Sequence, residues 1–131
     1  METLTKEEAI RLHRDMWNYI VERIEEGSKD SIPNLKINYL NNNHYNDVAN
    51  KCFCCEYAFQ HRHRLNHNDN SKFCKYCPLD WCNSCNLFIN KQCEGYKEDG
   101  VYCQNNGCLD KELDWRKREY AKNIANLSER I

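Results

Sequence analysis

Glycine and proline are scarce in this sequence, four and two among 131 residues, which leaves almost no room for a glycine-rich loop that could cradle a phosphate. Apolar residues are also sparse. They make up 40% of the chain, mean hydropathy is -0.96, and no stretch approaches the roughly 18 apolar residues of a membrane-spanning helix. We therefore expect no membrane partner. The opening METLTKEEAI has none of the basic, apolar and small-residue pattern of a secretory signal, so a cytoplasmic protein is expected. An excess of positive charge is missing as well: 19 basic residues face 20 acidic ones, for a net charge of -1. Binding to phosphate backbones draws its strength from positive charge, so any nucleic-acid contact has to use a local patch.

What the chain has in abundance is cysteine, ten residues in all. Disulfides are rare in the reducing cytosol, which makes metal the leading use for so many thiols. The spacing agrees. Cys52 and Cys55 form one C-x2-C pair, Cys74 and Cys77 a second, and 18 residues separate them. This falls within the arm of about 15 to 20 residues found between the pairs of four-thiolate zinc sites. Two residues between paired cysteines let a tight knuckle aim both thiolates at one ion, and the distant pair closes the tetrahedron.

A third pair, Cys82 and Cys85, follows four residues after Cys77, far enough to carry the chain to a neighbouring ion. Cys103 and Cys108 complete that second site as C-x2-C-x17-C-x4-C, with Cys93 as competitor for a ligand position. Cys54 is squeezed inside the first pair, where adjacent residues do not easily face one ion, and it is expected to be a non-ligand. The expected ligands are thus Cys52, Cys55, Cys74, Cys77, Cys82, Cys85, Cys103 and Cys108 around two Zn2+. Their deprotonation would take the folded protein to a net charge of about -5. A disulfide-stapled secreted domain and a thioredoxin-like redox protein are disfavoured, the first by the missing signal and the second by the lack of any βαβ pattern.

Around this middle the chain reads as helix. Thr5 and Glu8 make a capping box, after which Ile10, His13, Trp17, Ile20, Val21 and Ile24 recur at helical spacing until Gly27 supplies a stop. His13 lies on that apolar stripe and is expected to be a core histidine with a hydrogen-bond partner. Residues 28–51, rich in asparagine, read as a loop-rich connector with one short strand, in which Ile37 and Tyr39 share a side. After Cys108 a second helix is expected, capped by Asp110, with Leu113, Tyr120, Ile124 and Leu127 on one face and Arg116, Lys117, Arg118 and Lys122 on the others. The expected architecture is one small α-rich, zinc-stabilised domain over residues 1–131. In it a helix at 1–27 and another at 109–131 bracket a two-zinc knuckle core at 52–108 with little regular sheet.

Catalysis finds no support in the motifs. H-E-x-x-H, H-x-E and G-x-S-x-G are absent, and the proline follows the cysteine pair in CKYCP instead of preceding it as in zinc deaminases. A nuclease built from His61, His63, Asn66 and His67 would have all its groups in one short segment, with no separate elements to aim them. His61, His63 or His67 could instead replace a cysteine as a zinc ligand. Arg62 and Arg64, with Arg116, Lys117 and Arg118, are the candidate contacts to nucleic acid. Aromatics crowd the cysteine pairs at Phe53, Tyr57, Phe59, Phe73, Tyr76, Trp81 and Phe88. Most are expected in the core, and those left exposed beside arginines suit a protein interface.

The strings CFCCEYA at Cys52–Ala58 and CKYCPLDWC at Cys74–Cys82, with Cys93 and Tyr96 downstream and the opening EEAIRLHRDMWNYI, resemble the small cysteine-rich, zinc-finger-like accessory proteins of bacteriophages and prophages of Gram-positive bacteria. The resemblance spans residues 5–96. It implies zinc at Cys52, Cys55, Cys74 and Cys77 and an accessory role in the host bacterial cytoplasm, and it brings no biochemical activity that carries over to this chain. Phage genes of this size often encode inhibitors of host proteins, including anti-defence and anti-CRISPR factors. Cys82, Cys85, Cys103 and Cys108 depart from the pattern. The combined expectation is a non-enzymatic zinc protein that binds a host protein, with a nucleic-acid-binding regulator as the alternative. If structural zinc supplies the folding energy, Cys74→Ser or Cys77→Ser should abolish most of the far-ultraviolet helical signal. Full helicity in both variants would refute it.

Overall fold

The computed structural model describes residues 3–45, 53–61, 77–79 and 114–129. These residues hold four helices: α1 (Lys6–Glu25), α2 (Ile32–Asn42), α3 (Phe53–His61) and α4 (Asp114–Ala125). Sheet among the described residues is limited to one antiparallel bridge, between Leu79 and Glu129. The mostly helical, sheet-poor architecture is therefore as expected. No helix among the described residues is long and apolar enough to cross a membrane.

Helix α1 begins as the sequence indicates. Thr5 Oγ1 accepts from the Glu8 amide at 3.1 Å, and the Thr5 amide donates back to Glu8 Oε1 at 3.3 Å. The helix ends at Gly27, whose φ of +91° permits the Gly27 amide to reach the Ile24 carbonyl and the Ser28 amide to reach the Arg23 carbonyl, both at 3.0 Å. No atom lies within 4 Å of where a Cβ would stand on Gly27, so conformation, not space, is what calls for glycine there. Between these ends Ala9, Ile10, Leu12, His13, Met16, Trp17, Ile20 and Val21 are buried.

The connector reading of residues 28–51 is corrected by α2. Ser31 caps it, Oγ accepting from the Asn34 amide at 3.2 Å, and Pro33 sits in the first turn, where a missing amide costs nothing. Ile32, Leu35, Lys36, Tyr39 and Leu40 are buried, a helical spacing that the asparagines obscured. Ile37 and Tyr39 consequently do not share a face. The helix closes without glycine. His44 takes φ +61°, and the amides of His44 and Tyr45 donate to Asn41 and Leu40 carbonyls at 3.3 and 2.8 Å.

Helices α2, α3 and α4 all pack on α1, and buried residues of all four join Cys77 and Leu79 in one core. Phe53 of α3 meets Tyr39 and Tyr45 edge-on, with ring centroids 6.2 and 5.4 Å apart. The Tyr39 hydroxyl donates to Asp15 Oδ2 at 2.5 Å, and burial, then this carboxylate, raise its pKa well above the ordinary tyrosine value. Lys36 Nζ lies 5.1 Å from the Trp17 ring centroid, a buried ammonium over an indole face.

The carboxyl end of α4 is closed by α1. His13, fully buried as a core histidine should be, donates from Nε2 to the Ile124 carbonyl at 2.8 Å, which requires the proton on Nε2 because a carbonyl only accepts. Arg14 donates to the Ala125 and Leu127 carbonyls at 3.2 and 3.0 Å. The Asn126 amide and side chain take the Asn123 and Lys122 carbonyls at 3.2 and 2.8 Å, so all four terminal carbonyls of α4 have donors. Ile124 and Leu127 are buried and Tyr120 is half-buried, as expected, while Leu113 and the Asp110 cap lie outside the described residues. Replacing Arg14 by Met keeps the aliphatic stem and removes both charged donors. The urea midpoint should fall by the equivalent of about 1–3 kcal/mol at constant m. A change below about 0.5 kcal/mol would show that water closes α4 equally well.

Candidate metal centre and partner surface

The first cysteine pair does not sit on an irregular loop throughout. Helix α3 starts at Phe53, which places Cys55 in its opening turn, so the expected knuckle core at 52–108 carries a helix near its start. The helix forms because Phe53, Cys54, Glu56 and Ala58 can all be buried, chiefly against α1. Cys52 and the side chain of Cys55 lie outside the described residues, as do Cys74, Cys82, Cys85, Cys93, Cys103 and Cys108. Cys77 is the one expected ligand whose side chain is described. It is 3% exposed, and with Leu79 it belongs to the same core as Phe53 and Cys54. One member of the second pair and the immediate neighbours of the first thus enter one apolar centre. Among the described residues no group of three or more His, Cys, Asp or Glu side chains is placed to hold a metal. Paired thiols at these sequence spacings are the donor type that a structural zinc would take.

Cys54, expected to be a non-ligand, is fully buried, and its thiol lies 3.7 Å from the Ala9 carbonyl of α1. It behaves as a small apolar side chain with a weak donor. Further along α3, the C-terminal turn holds the start of the chain. Gln60 Oε1 accepts from the Leu4 amide at 2.7 Å, and His61 Nε2 donates to the Leu4 carbonyl at 3.1 Å. The His61 ring also lies against Tyr57, tilted by 38° with centroids 4.3 Å apart. Because Nε2 serves Leu4, His61 has only Nδ1 to offer a metal or a substrate proton. Its proposed companions His63, Asn66 and His67 lie outside the described residues.

The basic turn of α4 does not present three cations to solvent. Arg116 is exposed and Arg118 half-exposed, but Lys117 is only 7% exposed and donates from Nζ to the Asp30 carbonyl at 3.3 Å. The reason is register. Lys117 shares the inward stripe with Ala121 and Ile124 at helical spacing, and its long stem lets the ammonium reach the backbone beyond α1. Arg118 lies 3.7 Å from Glu119, and Lys122 lies 3.4 Å from Glu25, so acidic partners offset two more charges. Arg62 and Arg64 are outside the described residues.

Opposite the inward stripe stands a residue that the sequence reading passed over. Trp115 is 55% exposed, the one large apolar side chain so exposed among the described residues, and the Arg116 guanidinium carbon lies 5.3 Å from its ring centroid. Its position two residues before Lys117 puts it on the far side of the helix, an offset legible from spacing once Lys117 is known to face inward. Phe53 is fully buried in the core, Tyr57 packs half-buried against it and Phe59 is half-buried, while Phe73, Tyr76, Trp81 and Phe88 lie outside the described residues.

Comparison of the chain with known protein families, with characterised proteins and with solved structures finds no match. If Cys54 is a core residue and not a ligand, Cys54→Ala should lower stability by about 1 kcal/mol and leave the bound-metal content unchanged. Loss of a metal equivalent on native mass spectrometry would place Cys54 in the metal set.

Proposed function

We propose that this protein is a non-enzymatic, zinc-stabilised binding module, a phage or prophage accessory protein of the bacterial cytoplasm that occupies and inhibits a host protein, in an anti-defence or anti-CRISPR type of role. The observation that carries the binding part is Trp115 with Arg116 on the outer face of α4, since tryptophan and arginine are the side chains most enriched among residues that dominate protein interfaces. Cysteine spacing supports the zinc. Four thiolates around each ion leave no open coordination position, which favours a structural over a catalytic metal. Nucleic acid is the weaker reading, because the inward turn of Lys117, the acids beside Arg118 and Lys122, and a net charge of -1 all reduce the positive field.

The test joins three measurements on the full chain purified without chelator. Native mass spectrometry should show two zinc ions lost on acid denaturation. A pull-down from host lysate should recover one protein in near-equal amount, and Trp115→Ala should reduce that recovery at least about tenfold, the equivalent of about 1.4 kcal/mol, without loss of zinc. Undiminished capture by Trp115→Ala would move the interface elsewhere. Tight binding of mixed DNA or RNA that weakens steeply with salt would favour the nucleic-acid reading instead.

A further inference from the structure

We draw no further inference here: the strongest candidate, the outward face of α4 with Trp115 beside Arg116, already belongs to the partner surface described above, and nothing in the structure shows what covers it.

Discussion

The buried stripe of α1, running from Ala9 to Val21 through Met16, Trp17 and Ile20, has to be covered, and it is wide enough that no single partner covers it. Helices α2, α3 and α4 each take part of it. None of the three is long, and each would be marginal alone. Their stability is thus largely that of their contact with α1, worth on the order of 1.5–3 kcal/mol for each large apolar side chain removed from water. Trp17 is the widest of these side chains, and it also faces the Lys36 ammonium of α2.

Polar groups on and beside that stripe are not accidents of packing. His13 and Arg14 are consecutive residues that donate to successive carbonyls at the end of α4, so a sequence-distant helix stops where α1 supplies its donors. Asp15 then turns to the other side and receives the Tyr39 hydroxyl of α2. Three adjacent side chains of one helix therefore set the positions of two others. Hydrogen bonds of this kind contribute modestly when made and cost more when one partner is removed, which gives them more influence over geometry than over total stability.

The two cysteines with described side chains differ under the same reasoning. Cys54 has an apolar setting and a backbone neighbour that account for it without a metal. Cys77 enters the same core, but from a segment that also carries the second C-x2-C pair, so its burial is compatible with thiolate ligation in a closed site. The outward face of α4, with Trp115 and Arg116, lies away from that core and is the face proposed for a partner.

Local chemistry made much of this readable from residues alone. The capping box of α1, its stop at Gly27, the apolar stripe and the burial of His13 all depend on neighbours within a few positions, and all are found as read. Helix α2 carried comparable signals in Ser31, Pro33 and its spaced apolar residues. A run of asparagines, which hydrogen-bond their own backbone and favour turns, outweighed them, and the helix ends on His44 where a glycine would have announced the stop. The helical path of residues 53–61, the inward turn of Lys117 and the exposure of Trp115 were decided by tertiary structure. Each depends on which surface α1 offers to a segment far along the chain, and periodicity within a helix gives the spacing of its faces but not which one a distant partner will cover.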